Sequence, residues 1–206
     1  MGSRGPTIIK LGGSFAFSAH LKDWVNAIVG CGGHAIIVPG GGPFADAVRA
    51  AQVRMGFDDR AAHHMGLLAM EQYGCAIKSL HEKLSLAETL DSIRSGLIDG
   101  RVPVWLPSRM ISGAADVPQS WEVTSDSLAV WLAGKIGAER LVLVKHIEQT
   151  GGTMRVADLA AHGIVDRAFA SFLAAAGVPA FILGPHHDGA VIGVLGGESV
   201  GIRIVD

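Results

Sequence analysis

What this 206-residue chain lacks already narrows its function. Charged residues make up only 17% of it and the formal net charge is −2, so no basic field is present to grip a nucleic-acid backbone. No block of like charges occurs, and no Lys/Arg cluster alternates with aromatics. Cysteine is scarce: Cys31 and Cys75 are the only two. They form neither a disulfide framework nor a metal-ligand pair and read as reduced, buried thiols. No secretory signal is visible, because Arg4 is followed by Pro6 and by a short apolar run that Lys10 interrupts. The longest uncharged stretch, Ala168 to Gly184, carries Gly177 and Pro179 and reads as helix, turn and buried strand rather than as a membrane span. The expectation is a soluble cytoplasmic protein with no nucleic-acid and no membrane partner.

What is abundant is apolar: hydrophobic residues make up 49%, enough to bury a large core. Short apolar runs at Thr7–Leu11, Ala35–Pro39, Val102–Leu106, Leu141–Lys145, Ala180–Leu183 and Ile202–Val205 read as strands, several of them covered on both faces. Helical patterns lie between them near His20–Val29, Phe44–Met55, Asp59–Tyr73, Ser85–Ile98, Ser125–Ile136 and Asp166–Ala176. This alternation predicts one α/β domain over residues 1–206 with a mainly parallel sheet. Ligands of such sheets sit at the C-terminal strand ends, which is where glycines fall: Gly12-Gly13, Gly40-Gly41-Gly42 and Gly151-Gly152.

Three motifs carry phosphate chemistry. In Ile9-Lys10-Leu11-Gly12-Gly13-Ser14 a strand lysine supplies a compact positive charge and the glycines allow close backbone approach. The pattern is not G-x-x-x-x-G-K-[ST], which occurs nowhere in the chain. In Val38-Pro39-Gly40-Gly41-Gly42-Pro43 the glycines run into a helix N-terminus, which favours an anion. The same residues fit a loose dinucleotide fingerprint, Gly40-x-Gly42-x-x-Ala45 with Asp58 or Asp59 downstream. In Trp121-Glu122-Val123-Thr124-Ser125-Asp126, Thr124 or Ser125 can cap the following helix. Asp126 would then orient lysines or coordinate Mg²⁺.

Together these motifs resemble the amino acid kinase family over nearly the whole chain. The resemblance implies a three-layer α/β/α sandwich, with an acceptor part over about 1–140 and a short nucleotide part over about 141–206. It also implies ATP-dependent transfer of a phosphoryl group, with ATP and Mg²⁺ as cofactors and a homo-oligomeric assembly. Lys10 would bridge the transferring group, Gly12, Gly13, Gly41 and Gly42 would line it, and Asp126 would organise the centre. The catalytic set is then Lys10, Asp126 and Lys145. Ser14 and Gly184 join Gly12 and Gly13 on the nucleotide side, while Gly40–Gly42, His63 and Thr124 face the acceptor.

Two departures stand out. The family's T-D-V-D-G after the fourth strand is replaced by Val144-Lys145-His146-Ile147-Glu148-Gln149-Thr150-Gly151. The later family lysine, in G-G-M-x-x-K, aligns with His162-Gly163-Ile164-Val165-Asp166-Arg167, so the second cationic contact falls to either Lys145 or Arg167. The stretch from Gly151 to Gly163 is short for a nucleotide lobe. The pairs His63-His64 and His186-His187 are poor chelators, since helical neighbours point about 100° apart. Met65, Leu67, Leu68 and Met70 read as core or dimer contacts.

Within the family the chain looks closest to small kinases that phosphorylate a phosphate monoester. Turning a furanmethyl phosphate into its diphosphate, for a methanofuran-type cofactor, is one such activity, and phosphorylating isopentenyl phosphate is another. A non-catalytic oxyanion binder on the same fold is the alternative. An amine on the small-molecule acceptor would meet Asp58, Asp59 or Glu71.

Overall fold

The computed structural model describes residues 5–30, 32, 34–147, 151–186, 189, 193 and 201–206. Among the described residues, eight strands form one sheet: β1 (Thr7–Leu11), β2 (Ala35–Pro39), β3 (Leu84–Ala87), β4 (Val102–Trp105), β5 (Arg140–Val144), β6 (Gly151–Arg155), β7 (Ala180–Leu183) and β8 (Gly201–Val205). Their order is β3-β4-β2-β1-β5-β7-β8-β6. Neighbours pair in parallel except β7 and β8, which are antiparallel.

Helices among the described residues include α1 (Leu21–Gly30), α2 (Gly42–Met55), α3 (Asp59–Lys78), α4 (Leu90–Ile98), α5 (Ser108–Ile111), α6 (Ser125–Ile136), α7 (Val156–Ala161) and α8 (Phe169–Ala176). Side chains alternate across a strand, so the sheet carries one core on each face. Ile8, Leu141, Leu143 and Ile182 pack with Leu128, Leu132 and Phe169 on one side. Ile9, Leu11, Val142 and Val144 pack with Trp24, Ile28 and Tyr73 on the other. This is the expected three-layer arrangement. Both core clusters hold side chains buried to within a few per cent, each worth about 1.5–3 kcal/mol when taken from water.

Local chemistry explains the element boundaries. Asp58 accepts from the Ala61 amide at 2.8 Å and starts α3. Gly56, at φ 71°, ends α2 with its amide on the Gln52 carbonyl, the left-handed stop that glycine favours. The expected helix over Ser85–Ile98 is corrected at its front. Residues from Leu84 to Ala87 are strand β3, and the helix begins after Thr89, where Thr89 and Ser92 form a reciprocal capping box. A four-residue edge strand with a polar Ser85 has too little period to announce itself. Likewise β6 was not expected, because glycines seldom favour strands. The helix expected from Asp166 starts instead at Phe169. Cys75 is exposed, contrary to expectation, because it projects from the outer side of α3. Cys31 lies outside the described residues.

Candidate functional site

The site forms where β1, β2 and β5 end together. Lys10 pairs in register with Val38 on β2 and with Leu143 on β5. By strand alternation it shares a face with Ile8, the face that α6 covers. Lys145, one residue past β5, follows Leu141 and Leu143 on that same face. Its amide is held by the Leu183 carbonyl at 3.0 Å. Asp126, the second residue of α6, meets both lysines: Oδ1 lies 2.9 Å from Lys10 Nζ and Oδ2 lies 2.7 Å from Lys145 Nζ. Lys10 and Asp126 are buried, at 4% and 5% exposure.

Two cations on one carboxylate, one buried and one half-buried, leave a local excess of positive charge. Burial, and then the charge of Lys10, push the Lys145 ammonium from 10.5 down to about 8, with Asp126 partly opposing them. Burial alone would raise Asp126, but the charges of Lys10 and Lys145 together outweigh it and hold the carboxyl below its ordinary range. An incoming anion would relieve the repulsion between the lysines.

The glycine loops are in backbone contact in front of this trio. A Cβ on Gly13 would strike the backbone nitrogen of Gly42, and one on Gly40 would strike that of Gly13. No side chain larger than hydrogen fits between them. Gly12 caps a short 3₁₀ turn, Gly13–Phe15, and Gly41 caps α2. Both turns therefore aim N-terminal amides toward the strand ends, and the first amides of a helix have no intrahelical acceptor.

Beside the loops lies a cleft of about 370 Å³. Its floor is Gly13, Ser14, Gly41 and Gly42, with Thr124 and Ser125 from the start of α6. Leu67, Met70 and Val123 supply apolar lining, and Trp121 lines it as well. Trp121 is locked from three sides. Its Nε1 donates to Gln52 Oε1 at 2.7 Å, its ring lies against Gly66, and Arg49 stacks 4.4 Å above it. His63 also borders the cleft, with Nδ1 3.4 Å from the Ser120 carbonyl oxygen. Burial lowers its pKa, an adjacent His64 adds to this, and the Ser120 contact opposes it. His64 is exposed, so the two rings diverge as their helical spacing implied.

Several expected residues fall elsewhere. Arg167 is not drawn into the centre: its side chain is 84% exposed and its guanidinium reaches Glu122 at 3.6 Å. Thr124 does not cap α6 with its hydroxyl. That hydroxyl donates instead to Asp166 Oδ2 at 2.8 Å. None of the carboxylates expected to meet an amine borders the cleft. Asp58 caps α3, Asp59 accepts from Gln52 at 2.8 Å, and Glu71 accepts from the Ser108 amide at 2.9 Å. The carboxylate that does border it is Asp46, paired with Arg49 at 3.2 Å. Position in the sequence could not separate these acids, because Asp46 is placed at the cleft rim, with its side chain exposed, only once α2 is known to begin at Gly42.

Gly184 follows β7 at the same end of the sheet and is buried. Exposed His186 sits edge-on to His20, with ring centroids 4.8 Å apart. His146 stacks on Phe15 at 4.2 Å. His187, Asp188, Glu148, Gln149 and Thr150 lie outside the described residues. The short stretch Gly151–Gly163 contains β6 and α7. Asp58 and Asp59 lie beyond the far end of α2, about 21 Å from Gly42 at 1.5 Å per residue, which weakens the dinucleotide fingerprint. Among the described residues, no cluster of three or more His, Cys, Asp or Glu is placed to hold a metal ion, and no helix is long and apolar enough to cross a membrane.

The model of the amino acid kinase family matches residues 5–149. A [5-(aminomethyl)furan-3-yl]methyl phosphate kinase from Methanocaldococcus jannaschii is 22% identical over 202 residues, covering 93% of each chain. Among solved structures, uridylate kinase from Archaeoglobus fulgidus superposes with a TM-score of 0.76 at 14% identity, covering 97% of this chain and 100% of the other. UMP kinase from Bacillus anthracis gives 0.73 at 17%, covering 98% and 96%. At such identities the structural likeness establishes the fold.

Proposed function

Because this chain belongs to the amino acid kinase family, we propose that it is an ATP-dependent phosphotransferase whose acceptor is a small phosphate monoester. The observation that carries this reading is the Lys10–Asp126–Lys145 trio at the mouth of two interlocked glycine loops. Phosphoryl transfer asks a protein mainly for positioning and charge neutralisation, and the trio supplies both.

In this reading the acceptor phosphate sits on Gly40–Gly42 and the start of α2, with its organic part against Leu67, Met70 and Trp121. ATP approaches from the β5–β7 side, where Gly12 lies against the Val144 carbonyl and Gly184 follows β7, with Gly13 between the two sites. Lys10 stands between the two and neutralises the transferring group, while Lys145 holds the nucleotide phosphates. Asp126 keeps the ammonium groups apart and aimed. Both of its oxygens are engaged by the lysines, so a Mg²⁺ accompanying the nucleotide would be held mainly by phosphate oxygens and water and would supply further charge neutralisation.

The cleft volume suits a compact acceptor, and its border holds Asp46 for a cationic amine. An aminomethylfuran-type phosphate, such as the Methanocaldococcus relative acts on by its name, fits both features. The product would be the corresponding diphosphate. ADP release is to be measured with a panel of aminomethylfuranmethyl phosphate, isopentenyl phosphate and UMP. Turnover with the first, abolished by Lys10→Ala, is the expected result. Nucleotide binding with no turnover on any phosphate would instead identify an oxyanion binder.

A further inference from the structure

The lysine trio depends on one carboxylate, and something must aim that carboxylate. Asp126 is the second residue of α6, so its direction is set by the backbone of the first helical turn. That turn is not capped locally, since the Thr124 side chain makes no capping bond. The donors of the turn converge on a residue 40 positions later in the chain. Asp166 Oδ2 accepts from the Thr124 amide at 2.9 Å, the Thr124 hydroxyl at 2.8 Å and the Ser127 amide at 3.0 Å. Its Oδ1 accepts from the Ser127 hydroxyl. Backbone on either side of Asp126 is therefore tied to a single side chain.

We propose that Asp166 is a positioning residue, which caps α6 from outside and so holds Asp126 between Lys10 and Lys145. Its own segment is anchored for the task. Val165 is in the core at 3% exposure, and the Ala168 amide donates to the Glu122 carbonyl at 3.1 Å. Four donors on one carboxylate match its acceptor-only chemistry, and an ionised oxygen makes each bond stronger than a neutral one would. Burial pushes the Asp166 carboxyl upward and Asp126 adds to this, against the hydrogen bonds from Ser127 and Thr124. The segment bearing Asp166 follows α7, in the nucleotide part. One side chain thus joins that part to the Thr124 edge of the acceptor cleft.

The kinetic consequence rests on the kinase reading; the geometric one does not. Asp166→Asn is nearly isosteric but turns an NH₂ toward donors. Two readouts apply: steady-state kinetics, and the pH midpoint at which an amine-selective reagent labels Lys145, followed by mass spectrometry. Expected are a kcat about 10²-fold lower, the cost of a displacement near 1 Å, with acceptor KM within about threefold of wild type. The Lys145 midpoint should fall below its native value, because burial and Lys10 persist while Asp126 withdraws. Thr124→Val/Ser127→Ala keeps the Asp166 charge and removes both hydroxyl donors. A shift in that variant therefore reports position rather than charge, and it also serves should Asp166→Asn fail to fold. An unchanged midpoint in the soluble variants overturns the proposal, as does a loss confined to KM. If wild type turns over no acceptor but the midpoint shifts, the positioning role stands and the kinase reading falls.

Discussion

Lys145 Nζ lies 2.7 Å from Asp126 Oδ2, joining the residue just past β5 to the first turn of α6. Arg167, the other cation considered for this place, points into solvent near Glu122. The second positive charge of the centre thus comes from the strand next to β1 rather than from the segment before α8. Its position, two residues beyond Leu143, gives it the same facing direction as Lys10, with a side chain 16% exposed against 5% for Lys10. This relationship has kinetic and energetic consequences that can be measured.

Lys145 has its pKa lowered to about 8. If it acts as a cation, it is charged below that pH and loses its charge as pH rises through it. kcat/KM should therefore fall on the alkaline side of pH 8, as measured on free enzyme between pH 6 and 10. Lys145→Arg keeps its charge throughout and should lose this limb. Lys145→Ala should cost about 10²–10³-fold, the range for removing one electrostatic donor. A basic limb that survives unchanged in Lys145→Arg would assign it to another group.

Asp126→Ala would leave Lys10, at 4% exposure, without its counter-charge. Breaking a buried pair on one side typically costs about 3–5 kcal/mol. Urea unfolding should show a loss of that size, and Lys10→Met added to Asp126→Ala should recover part of it. A loss below about 1 kcal/mol would mean that water reaches the lysines.

Gly13→Ala tests the contact between the glycine loops. The added methyl meets the Gly42 backbone, which has no side-chain rotamer to yield. Overpacking of this kind costs about 1–3 kcal/mol, and separating the loops should also weaken phosphate binding. Calorimetry with the acceptor phosphate, together with thermal unfolding, would read both effects. Wild-type affinity and stability would show that the loops move apart freely.

Asp46→Asn should raise KM about tenfold for an amine-bearing acceptor, equivalent to about 1.4 kcal/mol, and leave KM for isopentenyl phosphate unchanged. Asn at Asp58, Asp59 or Glu71 should not reproduce this, since those carboxylates are occupied in α3 capping, by Gln52 and by the Ser108 amide. An equal effect on both acceptors would place Asp46 in the framework of α2 rather than in recognition.

Much of the fold was legible because its signals are local. Thr7–Leu11, Ala35–Pro39 and Ala180–Leu183 were located to the residue, as continuous apolar runs must be strands buried on both faces. The glycines at the ends of β1 and β2 marked the site for the same reason, since close backbone approach demands them. Edge strands β3 and β6 were missed: Ser85 and Gly151-Gly152 carry no buried periodicity. Asp166 was passed over as a neighbour of Arg167, because a cap supplied from 40 residues away leaves no trace in local spacing.

By itself, the order of residues determined that this is an α/β chain with Lys10 and two glycine loops at strand ends and Asp126 at the start of a helix. Periodicity and glycine placement depend only on each segment's own geometry. Tertiary structure alone decided that Lys145 rather than Arg167 meets Asp126, that Asp46 rather than Asp58, Asp59 or Glu71 borders the cleft, and that Asp166 caps α6. Each of these is a question of which charge lies within about 3 Å of which partner. Distances of that kind arise only after separate segments have packed against one sheet.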